Sequence, residues 1–110
     1  AVRGSGMVKA DREMMKKIVD NILSNAVQYT PEGQRIEIEA GAGELCVKNY
    51  GASIDPQILP NIFEPFVSSD ESRKGKGLGL YVASYYSRLS GCELKVENIE
   101  NGVQARLKFL

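Results

Sequence analysis

Three carboxamides recur at helical spacing near the start of the chain. Asn21, Asn25 and Gln28 lie within residues 11–30, with Lys17 one turn before them. At roughly 100° per residue they share one narrow arc of a helix. Met14, Met15, Ile18, Val19, Ile22, Leu23 and Ala26 fill the adjoining arc. One face therefore enters a core while amides line its margin. Asparagine is a poor helix former, so two of them in successive turns ask for a reason beyond propensity. A structural reason is that both are core-edge amides bonded to nearby backbone. A chemical reason is that an amide oxygen suits a hard cation, and Mg²⁺ takes one or two such protein groups while keeping waters and substrate phosphates. Asn25 is the residue that would serve.

A second constellation lies downstream. Gly75-Lys76-Gly77-Leu78-Gly79-Leu80 opens a second helix, with Lys74 just before it. Free N–H groups at a helix start, backed by the helix dipole, favour an anion, and glycine lets a phosphate approach the backbone closely. A hinge is the structural alternative. The stretch is not GxxxxGK[ST] and does not follow a strand within a βαβ unit, which excludes a P-loop and a dinucleotide fold. Asn49, just past a strand end, reads either as a turn residue or as an acceptor for the exocyclic amine of a base. In the second case Gly51 would let the base edge come near the backbone.

These groups must be positioned by one small domain. The chain has 110 residues, 43% hydrophobic and 25% charged, with zero formal net charge. That is one domain, spanning 1–110, of globular composition. Zero net charge gives no electrostatic footprint for nucleic acid or an acidic membrane. No apolar run is long enough to cross a bilayer, and the start shows no signal-peptide pattern, so the chain reads as soluble. Cys46 and Cys92 are far apart and outside any CxxC, which favours reduced, buried thiols. The chain contains no histidine, so it cannot build a Ser-His-Asp or Cys-His site, nor phosphorylate a histidine of its own.

Taken in order, residues 1–6 read as irregular and 7–10 as a short strand. Asp11 is the N-cap of the first helix, which ends near Tyr29 because Pro31 follows. Strands are expected at 35–40, with Ile36 and Ile38 on one face, and at 44–49, with Leu45 and Val47 inward, joined by a turn at Gly41-Ala42-Gly43. A short helix is expected at 56–62, capped by Asp55 with Pro56 at its first position. Residues 67–76 are polar and without periodicity. The second helix should run over about 78–90, with an apolar stripe of Leu78, Val82, Tyr85 or Tyr86, and Leu89, and Gly91 as its stop. Strands at 92–98 and 103–110 flank Asn101-Gly102, a strong hairpin signal. Together these elements predict a two-layer α/β (α+β) sandwich. About five strands, in a mixed and mainly antiparallel sheet, pack against about three helices.

The combination resembles the ATP-binding catalytic domain of bacterial sensor histidine kinases, within the gyrase, chaperone, histidine kinase and mismatch-repair ATPase superfamily, over nearly the whole chain. Residues 11–33, with Asn-Ile-Leu-Ser-Asn-Ala-Val-Gln-Tyr-Thr at 21–30, look like the family's N box. Residues 47–54 look like the first glycine box, Ile62-Phe63-Glu64-Pro65-Phe66 like the F box, and 75–80 like the second glycine box. Asp70-Glu71-Ser72-Arg73 and Gly79-Leu80-Tyr81-Val82 resemble sensor kinases in particular.

The resemblance implies a Bergerat-type ATP-binding fold and a set of roles. Asn25 matches the Mg²⁺-binding asparagine and Asn21 the polar residue one turn earlier, in the phosphate and metal region. Tyr29 matches an aromatic close to the nucleotide, Asn49 the residue that recognises the adenine amine, and Gly51 the glycine beside it. Gly75, Gly77 and Gly79 match the phosphate-side glycines, and 67–76 the lid. Gln28, Ile54, Phe66, Arg73, Lys74, Lys76, Leu78 and Leu80, in or beside the same boxes, complete the implied ATP site.

The chain also departs from the pattern. Asn49 stands where the family usually has Asp, Ser53 replaces the second glycine of its box, Gln28 replaces a common lysine, and Ser68 a common arginine. An amide still accepts from the adenine amine but without the charge that strengthens the bond. Weak nucleotide affinity is expected, with Arg73, Lys74 and Lys76 as the cations at hand to compensate. Asn21 stands where the superfamily's hydrolases carry a water-activating glutamate, and an amide is no base. The implied reaction is transfer of the γ-phosphate of Mg-ATP to a histidine on a separate dimerisation domain, then to an aspartate of a response regulator. The domain would work in the cytoplasm within a membrane-anchored parent. Two other readings stand beside it: a degenerate module that binds no nucleotide and only docks on a partner, and a serine kinase of the anti-sigma type, against which the Asp70–Arg73 text argues.

Overall fold

The computed structural model describes residues 2–3, 11–64 and 79–109. Its first helix, α1, runs over Arg12–Tyr29. Asp11 starts it as expected: its carboxylate accepts from the Met14 N–H at 3.0 Å, and Glu13 sits in the first turn, where the dipole favours an acid. Thr30 ends it in extended conformation, its hydroxyl donating to the Ala26 carbonyl, and Pro31 follows. Ile18, Ile22 and Ala26 form the buried stripe, and Met15 and Leu23 pack beside it.

Among the described residues the sheet has five strands, β1 (Val2–Arg3), β2 (Ile36–Gly41), β3 (Glu44–Tyr50), β4 (Cys92–Ile99) and β5 (Gly102–Phe109), in the order β1-β2-β3-β5-β4. β1 pairs parallel with β2; every other pairing is antiparallel. The mixed, mainly antiparallel sheet is as the sequence predicts. β1 is a correction, since Val2 and Arg3 lie in a stretch expected to be irregular, and the strand expected at 7–10 lies outside the described residues.

Alternation divides the sheet cleanly. Leu45, Val47 and Asn49 of β3, Val103, Ala105 and Leu107 of β5, and Leu94, Val96 and Asn98 of β4 share one face. Val47 and Leu107 of that face join Ile18, Ile22, Ala26, Ala83 and Cys92 in the core. The opposite face carries charges paired across and along strands. Lys48 lies 3.8 Å from Glu39, Arg106 3.9 Å from Glu97, and Lys95 3.1 Å from Glu93.

The second helix, α2, runs over Gly79–Leu89. Its buried residues are Leu80, Ala83 and Ser87, whereas Tyr85 and Leu89 of the expected stripe are 46% and 55% exposed. Leu78 lies outside the described residues, and Tyr86, one of the two alternatives, does pack on the core. The shift has a packing cause. α2 lies against α1, and small side chains at the contact let two helices approach closely. The Ser87 hydroxyl is satisfied there by the Ala83 carbonyl at 2.6 Å.

The helix expected at 56–62 is also corrected: only a single 3₁₀ turn forms, over Leu59–Asn61. Asp55 does not cap it: the N-cap is Ile58, with no side-chain bond, while the Asp55 carboxylate accepts from the Gln57 N–H at 2.9 Å and the Ile58 and Leu59 N–H groups donate to the Asp55 carbonyl, in the turn just before. Pro60 then has no N–H to give back to residue 56, which stops an α-helix after one turn. Among the described residues there are thus two α-helices rather than about three. No helix among them is long and apolar enough to cross a membrane.

Candidate functional site

α1 and α2 run antiparallel, and three contacts fix their register. Near the end of α2 the Ser90 hydroxyl donates to the Met14 sulfur at 3.4 Å. One turn on, Lys17 Nζ donates to the Tyr86 hydroxyl at 3.5 Å and stands 5.1 Å from the ring centroid. At the mouth of α2, a Cβ on Gly79 would lie 3.6 Å from Asn21 Oδ1 and 3.8 Å from the Asn21 carbonyl. The first amide of the helix and the last glycine of the glycine-rich stretch are therefore neighbours in space, although far apart in the chain.

The Asn21 side chain is oriented by its own helix. Its Nδ2 donates to the Lys17 carbonyl at 2.6 Å, which occupies the donor end and leaves Oδ1 on the side of Gly79. Asn25 is half-buried one turn further along α1, about 6 Å beyond Asn21 at 1.5 Å per residue. Antiparallel pairing carries that turn past the first residue of α2. Gln28 and Tyr29 are half-buried in the last turn of α1; Gln28 also lines a separate cleft of about 710 Å³ with Asp20, Leu23, Ser24 and Val27. Leu80 is buried. Phe66, Arg73, Lys74, Gly75, Lys76, Gly77 and Leu78 lie outside the described residues.

The third wall comes from the sheet. Asn49 is 6% exposed and ends the helix-covered row of β3, where Ile36, Asn49, Val103 and Asn98 stand side by side across four strands. The neighbouring row, Ile38, Val47, Ala105 and Val96, is wholly apolar. Polarity on the covered face is thus confined to the end from which the 51–54 loop departs. Gly51 begins that loop with φ +97, and a Cβ there would lie 2.6 Å from Gln34 Cγ and 3.2 Å from Pro31 Cδ. Glycine satisfies both the left-handed backbone and the close approach without displacing Gln34. The exit of α1 at Pro31 is therefore packed on the loop after Asn49, and α1 spans from the mouth of α2 to the base of that loop.

This donor set fits a magnesium triphosphate. Neutral amide oxygens at Asn21 and Asn25 suit a hard cation that keeps most of its waters. Gly79, the first described residue of α2, puts no Cβ in the way of an anion beside Asn21. No group of three or more His, Cys, Asp or Glu able to hold a metal occurs among the described residues.

Two residues to which the sequence assigns no part in the site complete the wall. The Asn98 carboxamide accepts from the Ile54 N–H at 2.8 Å and donates to the Ile54 carbonyl at 2.8 Å. The Asn101 carbonyl accepts from the Gly51 N–H at 2.7 Å. Asn98 had a legible signal: it follows Cys92, Leu94 and Val96 as the one polar residue on the inward face of its strand. The Asn101 contact runs through backbone and left no side-chain signal.

Comparison with known proteins shows a family and a fold. Residues 10–110 match the family model described as histidine kinase-, DNA gyrase B- and HSP90-like ATPase. The histidine protein kinase DivJ of Caulobacter vibrioides is 33% identical over 98 residues, covering 83% of this chain and 16% of that protein. The sensor protein VanSB of Enterococcus faecalis is 34% identical over 105 residues, covering 88% of this chain and 24% of that protein. The chain thus spans less than a quarter of the length of either relative. Among solved structures, the nucleotide-free catalytic domain of the histidine kinase ThkA superposes with a TM-score of 0.78 at 28% identity, covering 98% of this chain and 75% of that one.

Proposed function

The chain belongs to the histidine kinase-, DNA gyrase B- and HSP90-like ATPase family, and we propose that it is the ATP-binding catalytic domain of a sensor histidine kinase. The observation that carries this reading is the meeting of Asn21 with Gly79 at the mouth of α2. The nucleotide would lie with its phosphates between α1 and α2 and its base against Asn49 and Gly51. Asn25 would hold Mg²⁺ through its amide oxygen, and the ion, when bound, supplies neutralisation of phosphate charge. The remaining work is positioning. Asn21 offers no base for activating water, so hydrolysis should be slow. With no histidine in the chain, the γ-phosphate passes to a histidine on a separate dimerisation domain, and from there to an aspartate of a response regulator. The domain would act in the cytoplasm, within a parent anchored in the cell membrane.

The test is ATP labelled at the γ-position, added to this chain together with the histidine-bearing domain of its parent. An acid-labile phosphohistidine on that domain is expected. Its formation should fall on the order of 10- to 100-fold in Asn25→Ala, as loss of a contact to a charged ligand implies. No nucleotide binding by calorimetry would overturn the proposal, and an acid-stable phosphoserine on a partner would move it to a serine kinase.

A further inference from the structure

The loop that would face the base does not hold its own shape. Residues 51–54 contain no helix or strand, and their two ends are tied to a single element, the β4–β5 hairpin. At one end the Gly51 N–H is held by the Asn101 carbonyl at 2.7 Å. At the other, the Asn98 carboxamide grips both backbone polar groups of Ile54 at 2.8 Å each, as a paired strand would. Next to the Asn101 tie, Gly102 is pressed against β3, where a Cβ would come 2.1 Å from the Asn49 carbonyl. The hairpin turn is thus a template on which the loop after Asn49 is laid.

We propose that Asn98 is a positioning residue for nucleotide recognition, fixing the base-side wall of the site by clamping Ile54. This rests on the function proposed above and deepens it. A carboxamide suits the task because it is donor and acceptor at once, matching one peptide N–H and one C=O. An alanine there would leave both Ile54 groups without these partners and free the end of the loop. Both described hydrogen bonds of the Asn98 carboxamide go to Ile54 rather than to α1 or α2, which build the phosphate side, so the damage should be confined to the base.

The experiment compares ATP with base-free ribose 5′-triphosphate, both with Mg²⁺, on the whole chain and on Asn98→Ala, by calorimetry and by competition with a fluorescent ATP analogue. ATP affinity should fall about tenfold, the scale of two lost half-buried hydrogen bonds, while affinity for ribose triphosphate changes less than about twofold. A variant that weakens both ligands equally has lost general structure, and one that weakens neither has lost nothing of use; either result overturns the proposal. Asn98→Ser, which keeps an acceptor for the Ile54 N–H in a smaller side chain, should fall between the two and serves if the alanine variant does not fold. If the unaltered chain binds ATP no better than ribose triphosphate, the base-side reading fails along with the clamp. If it prefers ATP and both variants keep the full preference, the clamp alone fails.

Discussion

Glycines at three positions are required for three different reasons, which substitution can separate. Gly91 has φ +72 but open space within 4 Å of where a Cβ would stand, so Gly91→Ala meets backbone strain alone, about 1 kcal/mol. Gly51 combines positive φ with a 2.6 Å approach to a side-chain atom of Gln34, which can yield. Gly102 meets backbone at 2.1 Å, which cannot yield without parting β5 from β3. Gly102→Ala should therefore be the worst of the three, at about 3 kcal/mol, a fall in Tm of roughly 10–20 °C for a domain of this size. Gly91→Ala should lower it by only about 5 °C. Calorimetric melting of the variants checks the order. At Asn49, the amide in place of a carboxylate leads us to expect ATP binding at micromolar strength or weaker, and calorimetry showing sub-micromolar binding would contradict this.

At the scale of elements, α1 is both scaffold and site, and its two faces should answer differently to truncation. Ile22 is 2% exposed in the core and Val27 is 66% exposed. Ile22→Ala should cost about 2–5 kcal/mol and Val27→Ala less than about 0.5 kcal/mol, measured by urea unfolding. The same helix shows why so much is legible in advance. A cap, a stop and a 3.6-residue stripe are local signals, and Asp11, Pro31 and the Ile18–Ile22–Ala26 series carry them. The hairpins are legible for the same reason, through Gly41-Ala42-Gly43 and Asn101-Gly102. α2 is less so because its burial is decided by a neighbour: contact with α1 selects Ala83 and Ser87, which hydrophobicity ranks below Tyr85 and Leu89. The amides Asn21, Asn25 and Asn49 are visible because polar residues beside apolar stripes are conspicuous, while the Asn101 tie is main chain and has no residue type to betray it. β1 is two residues long, too short for any period to show.

On the scale of the whole molecule, both cysteines are free thiols, and burial pushes both up from the ordinary thiol value; at Cys46 the nearby Lys48 and Arg106 pull the other way, and Glu39 and Glu44 add to the rise. A group with a raised folded-state pKa contributes stability that is fully present below its unfolded value and is lost as pH rises through the folded value. Urea midpoints should therefore hold steady through neutral pH and decline in the alkaline range, and the decline should be smaller in the double variant Cys46→Ser, Cys92→Ala. A decline of equal size in that variant would assign it elsewhere. The sheet order has a consequence of another kind. β5 lies between β3 and β4, so the seam from Glu44 to Tyr50 joins everything before residue 65 to everything after residue 78. Cleaving the chain between Glu64 and Gly79 would yield two pieces, each with one helix and its own hairpin, and neither with both halves of the pocket. Their reassembly would be a complementation reporter: signal would appear only when the pieces zip along that seam, and ATP, by bridging them, should lower the concentration at which they do.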